Sequence, residues 1–150
     1  MTISQKCQYA VRSIFELAKR EGEGPIRAGA IAEAQAIPIR FLEVILNELK
    51  QGGFVVSRRG AEGGFMLARP ARAISMGEVM RFIDGPFGPV KCVQAAEGEI
   101  DCPFQGDCVF LPVWESAEQA VAKIFDGTSF AELAEREQLR VQTTVSNFSI

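Results

Sequence analysis

Apolar residues recur at three- and four-residue intervals through Ser4–Arg20, at Cys7, Ala10, Val11, Ile14, Phe15, Leu17 and Ala18. That repeat predicts an amphipathic helix with one buried face, which Gly22, Gly24 and Pro25 bring to an end. Ala28–Gln35 is a short alanine-rich helix closed by the turn Ala36-Ile37-Pro38. Pro38 suits the first turn of a third helix, where its missing N–H costs nothing. That helix runs to about Gln51, with Phe41, Leu42, Ile45, Leu46 and Leu49 on its buried face and Gly52-Gly53 at its end. Two short runs of strand character, Phe54–Ser57 and Phe65–Ala68, then flank the polar, glycine-rich loop from Arg58 to Gly64. Three helices followed by such a hairpin predict a winged helix-turn-helix, mainly α with a small β-hairpin wing.

The second half is patterned differently. Ser75 and Glu78 have the spacing of a capping box and start a fourth helix, which Gly85, Pro86, Gly88 and Pro89 break. Residues from Cys92 to Cys108 show no periodicity and read as a loop. Phe110, Val113, Trp114, Ala117, Val121 and Ile124 then recur at helical spacing on a long helix from Val109. Ser129 and Glu132 form a second capping box for a last short helix, and Val141–Ile150 is polar and unpatterned. The expected organisation is a DNA-binding head over 1–84, a cysteine loop over 85–108, a dimerisation helix with a short final helix over 109–140, and a tail over 141–150. Trp114 and its β-branched neighbours make a seam larger than a short domain can bury, so a helix from a second copy is its expected cover and the expected assembly is a homodimer.

Charge sharpens the division. The whole chain carries a net charge of −3. Residues 1–72 hold eleven Lys and Arg against seven Asp and Glu, and residues 73–150 hold five against twelve. The first half can therefore meet phosphate although the chain as a whole is acidic. No apolar run approaches the roughly 20 residues that cross a bilayer, and Lys6, Arg12, Glu16 and Lys19 interrupt the start of the chain as no signal peptide would allow. A cytoplasmic location without membrane contact is the expectation.

The chain contains no histidine and four cysteines. Ser-His-Asp and Cys-His catalysis are excluded, and any metal must be held by cysteine, carboxylate, backbone or a non-protein ligand. Reducing conditions favour thiols over disulfides. Cys92 and Cys102 are separated by nine residues, and Cys102 and Cys108 by five. Zinc sites usually set their cysteines in close pairs, which are absent here; three thiolates on one glycine-containing loop suit an iron–sulfur cluster, [2Fe-2S] or [4Fe-4S]. A structural zinc, or a thiol redox switch with no cluster, are the alternatives. Cys7 shares a face with Ala10, Val11 and Ile14 and reads as a core residue before a ligand.

The DNA-facing candidates are Arg40, Glu43 and Asn47, opposite the apolar stripe of the third helix, with Arg58 and Arg59 at the mouth of the wing. A nucleotide-cradling P-loop is a poor reading of the same glycines, since no Lys-Ser or Lys-Thr follows them.

With these residues in place, the sequence resembles the IscR, NsrR and RirA group of iron–sulfur regulators in the "Rrf two" superfamily, over about Ile3 to Phe125. The marks are Tyr9-Ala10-Val11-Arg12, Ile31-Ala32-Glu33, Phe41-Leu42-Glu43 with Leu46-Asn47-Glu48-Leu49, the wing from Arg58-Arg59-Gly60 to Gly63-Gly64-Phe65, and the three-cysteine loop. The resemblance implies a homodimer on palindromic promoter DNA that senses cluster status, iron, redox state or nitric oxide, with Glu43 reading bases and Arg59 entering the minor groove. It also implies a fourth cluster ligand. Some members use a histidine of the loop, and others a carboxylate of the partner's first helix at the position Gln8 holds here; Cys7, Gln8, Asp101 and Asp107 are the candidates in this chain.

Overall fold

The structure, a computed structural model, describes residues 2–94, 102–104 and 106–148. Its elements are α1 (Gln5–Lys19), α2 (Ala28–Gln35), α3 (Ile39–Gln51), β1 (Val55–Arg58), β2 (Gly64–Leu67), α4 (Met76–Asp84), α5 (Lys91–Gln94), α6 (Leu111–Asp126) and α7 (Phe130–Phe148). Helix α1 starts at Ser4, whose hydroxyl accepts from the Cys7 N–H at 3.0 Å, and it is the element against which α2, α3, α4 and α7 pack. Helices α2 and α3 are joined by a tight turn at Ala36, which takes a left-handed φ of 49°. Strands β1 and β2 pair antiparallel, Val55 opposite Leu67 and Arg58 opposite Gly64. The winged helix-turn-helix read from the sequence is the fold observed.

One core fills the head. Ile14, Ile31, Leu42, Leu46 and Leu49 are wholly buried, so the apolar stripes of α1, α2 and α3 meet as their spacing requires. Phe41 is the exception in the predicted stripe, at 63 % exposed. It lies one residue before Leu42 and so about 100° round the helix, off the stripe's centre. A buried carboxylate ties two helices together: Glu16 accepts from Arg20 Nε at 2.9 Å and from Gln35 Nε2 at 2.7 Å. Among the described residues no buried side-chain polar atom lacks a partner, as a well-specified core demands.

The head core also draws on the C-terminal helix. Phe130, far beyond residue 84, is fully buried in the head core, and its N–H donates to the Ile74 carbonyl at 3.1 Å. The capping pair at Ser75 and Glu78 forms both of its bonds, at 2.8 and 3.2 Å. The Ser75 N–H holds the Glu78 carboxyl below the usual range, ahead of Arg69 nearby. The final helix is not short. It starts after Ser129, whose hydroxyl accepts from Glu132 N–H at 3.2 Å, and continues to Phe148. The expected polar tail is helical over 141–148: no Gly or Pro interrupts that stretch, and the helix continues although Thr143, Thr144 and Ser146 turn their hydroxyls back onto carbonyls four residues earlier, at 2.9 to 3.0 Å, bonds that slightly weaken a helix.

Candidate functional site

Two groups of side chains stand out, one on α3 and the wing, the other around the cysteines. On α3, residues Leu42, Ile45, Leu46 and Leu49 face the core. Positions 40, 43 and 47 fall on the opposite side by the helix's own 100° step, and Arg40, Glu43 and Asn47 are all exposed. Arg58 ends β1 and Arg59 opens the wing loop; both are exposed. None of these five side chains carries a hydrogen bond or ion pair among the described residues, which leaves three guanidiniums, one carboxylate and one amide free for an external ligand. Such a set can donate to phosphate and to guanine or adenine edges, and Glu43 can accept from cytosine N4.

The surroundings fix where these groups stand. Lys6 pairs with Glu48 at 3.0 Å, linking α1 to α3, and Lys50 Nζ donates to Ser57 Oγ at 2.7 Å, linking the end of α3 to β1. The wing is stitched to the segment before α2 by paired backbone hydrogen bonds between Ile26 and Phe65, at 2.8 and 2.9 Å. Arg27 reaches the wing loop itself and donates to the Ala61 carbonyl. Sequence reasoning missed Arg27, because a contact spanning 34 residues leaves no local periodicity and shows only once the hairpin is folded back onto α2.

The cysteines divide sharply. Cys7 is fully buried with Met80 and Phe87, and burial, with the Asp84 carboxylate next, pushes its thiol up to about 12. This is the core cysteine that its helix face predicts. Cys92, Cys102 and Cys108 are half-buried and free. Cys92 lies on the single helical turn α5, where the sequence reads only as loop. Cys102 and Cys108 lie before α6, and Asp107 beside them is exposed. Gln8 is exposed and its amide donates to the Ile3 carbonyl at 3.3 Å. Asp101 lies outside the described residues. Among the described residues no three Cys, Asp or Glu side chains are gathered into a metal-sized cluster.

The segment between α4 and α6 is anchored by Phe87, whose ring stands 5.3 Å from Phe125 of α6 and lies under the Arg81 guanidinium at 4.8 Å. Arg81 also pairs with Asp126. Helix α6 buries no residue of its own; Val113 is 61 % exposed, Ile124 65 % and Trp114 36 %.

A winged helix-turn-helix head with an unengaged cationic face on α3 and wing defines a DNA-binding transcription regulator. The comparisons with known proteins give the family: the Rrf2 profile, described as an iron-dependent transcriptional regulator, matches residues 3–136, and the chain belongs to that family. An HTH-type transcriptional regulator of Mycobacterium tuberculosis is 36 % identical over 135 residues, 89 % of this chain and 81 % of that protein. The structure is similar to that of CymR, the global cysteine regulator of B. subtilis, with a TM-score of 0.75 and 32 % identity over 91 % of this chain and 98 % of that one. It is similar to T. potens IscR with a TM-score of 0.73 and 31 % identity, over 91 % and 88 % of the two chains. Among the described residues no helix is long and apolar enough to cross a membrane.

Proposed function

We propose that this regulator reads promoter DNA as a homodimer in the cytoplasm, with Arg40, Glu43 and Asn47 in the major groove and Arg58 and Arg59 at the minor groove, and that Cys92, Cys102 and Cys108 hold an iron–sulfur cluster as its sensor. The observation that carries the sensor is the contrast between the thiols. One is buried and held protonated, whereas three are accessible, free and confined to one segment between α4 and α6. Soft thiolates are the donors that iron–sulfur clusters require, and a chain without histidine offers no better set. When bound there, the cluster supplies iron open to attack by oxygen, nitric oxide or chelators. The protein's part is to bring Cys102 and Cys108 to Cys92, and this closure bears on Phe87, Phe125 and the Arg81–Asp126 pair at the base of α6. Because α6 is the expected dimer helix, ordering of the segment biases the relation of the two heads, a population shift that links cluster status to DNA affinity.

Cys7 is a poor fourth ligand, since a thiol raised to about 12 resists the deprotonation that ligation needs. Gln8 is a weak donor. The site we propose therefore rests on three cysteines of one chain, completed by Asp101, Asp107 or a small exogenous ligand, and it is correspondingly labile.

A second reading, a thiol switch without a cluster, is supported by the three free, half-buried thiols and by the similarity to CymR. Anaerobic purification followed by a visible spectrum and iron and sulfide analysis separates the two. A coloured protein whose Cys102→Ser variant is colourless supports the cluster; a colourless wild type that forms a disulfide on oxidation supports the switch.

A further inference from the structure

Residues Ile26 and Arg27 belong neither to the recognition helix nor to the wing, yet they hold the wing at three points. Two are the Ile26–Phe65 backbone bonds at the base of β2, at 2.8 and 2.9 Å. The approach there is so close that a Cβ on Gly64 would stand 2.4 Å from the Ile26 carbonyl oxygen, at a φ of +155°; glycine is what permits it. The third point lies further out. Arg27, exposed at the N-cap of α2, donates its guanidinium to the carbonyl of Ala61 at the tip of the loop. The tip turn is closed by the Gly63 N–H on the Gly60 carbonyl at 3.0 Å. The side chains of Arg58 and Arg59, on the adjoining stretch, have no hydrogen-bond or ion-pair partner among the described residues. Two paired strands of four residues each are marginal as a free-standing hairpin, so a tether beyond the base governs how far the tip wanders.

We propose that Arg27 is a positioning residue for DNA binding: its hydrogen bond to Ala61 fixes the wing tip against the start of α2, and so fixes where Arg59 stands before the duplex arrives. This rests on the wing being a DNA contact. A tip ordered in the free protein need not be ordered at the cost of binding energy. The competing role for an exposed arginine so near the duplex is a direct phosphate contact, and the two roles differ in salt dependence and in coupling to Arg59.

The test uses the full-length protein and a duplex that it selects from a random pool, with affinities measured by anisotropy across a salt series for wild type, Arg27→Met, Arg59→Ala and the double variant. The expected result is a loss of about fivefold for Arg27→Met, the worth of one modest hydrogen bond. In the Arg59→Ala background the same change costs less than about twofold, because the residue being positioned is gone. The salt slope of Arg27→Met equals that of wild type, Arg27→Lys recovers most of the affinity, and amide exchange in the free protein speeds up at Gly60–Gly63 alone. Losses that add in the double variant, with a salt slope lower by about one phosphate, would make Arg27 a phosphate contact and overturn the proposal. So would unchanged affinity with unchanged exchange at the tip. An Arg59→Ala protein that binds as tightly as wild type overturns the wing reading itself, and this inference with it.

Discussion

Helix α1 buries seven of its fifteen residues, and α6, one residue longer, buries none. Both carry apolar residues at helical spacing, so the difference lies in what surrounds them. Around α1 the chain supplies four packed helices; against α6 the described residues place chiefly α4 and the single turn of α5, and Val113, Trp114 and Ile124 stay exposed. The thiols follow the same division. Cys7, in the closed region, is held as a neutral core group, while Cys92, Cys102 and Cys108, in the open region, are free and accessible. The head is finished by its own chain and the cysteine arm awaits partners, a second copy and a cluster in the reading proposed above. In that reading, the difference separates residues that carry stability from residues that carry signal.

The largest expected contrast is in thiol chemistry. At mild alkaline pH a thiol raised from 9.0 to about 12 presents on the order of a thousandfold less thiolate than an ordinary one. An alkylating reagent should label Cys92, Cys102 and Cys108 in the folded apo-protein and leave Cys7 until the chain unfolds, with mass spectrometry counting the adducts. The same shift has a sign for stability. Between pH 9 and 12 the unfolded chain loses the Cys7 proton while the folded chain keeps it, so this contribution to stability is complete below pH 9 and declines as pH rises through that window. Denaturant unfolding of wild type and Cys7→Ala across that range tests it, since the variant should lack this component of the decline.

Phe130→Ala should cost about 3–5 kcal/mol, because a fully buried aromatic ring is removed from the head core. Chemical unfolding measures it, and a cost under about 1 kcal/mol would mean that α7 is no part of the head. Arg59→Ala should weaken binding of the selected duplex by about 1–3 kcal/mol if its guanidinium lies in a narrow minor groove, with no change in unfolding midpoint. The smallest effect expected is the most telling for the comparison. Serine at Cys92, Cys102 or Cys108 should shift apo-protein stability by no more than about 0.5 kcal/mol, as at ordinary surface sites, and leave the proposed dimer intact by sizing. A monomer or an aggregate would show that the arm holds the assembly together.

The head was legible because its signals are local. The stripe Leu42, Ile45, Leu46 and Leu49, the breaks at Gly52-Gly53 and the polar loop from Arg58 each report their own element, and the structure assembles them as expected. The Ser75–Glu78 box appeared with both bonds. What escaped were relations between distant segments. Phe130 joins a core more than forty residues upstream through its carbonyl partner Ile74, and a capping box at Ser129 announces only where a helix begins. Helix α7 runs on through the polar stretch around Thr143 and Thr144 because no Gly or Pro breaks it there, and polarity alone does not end a helix. Of the candidate site, exposure of Arg40, Glu43, Asn47, Arg58 and Arg59 followed directly from helix phase and hairpin position. The tether from Arg27 did not, because it depends on the hairpin lying against α2.

The most direct test of the division between a closed head and the proposed sensing arm is the visible absorption spectrum of the anaerobically purified protein, taken for wild type, Cys7→Ser and Cys102→Ser. The account predicts charge-transfer absorption in wild type and in folded Cys7→Ser, and a colourless, folded Cys102→Ser. A wild type without visible absorption, iron or sulfide would contradict the cluster, and a folded Cys7→Ser that cannot keep its chromophore would contradict the assignment of Cys7 to the core alone.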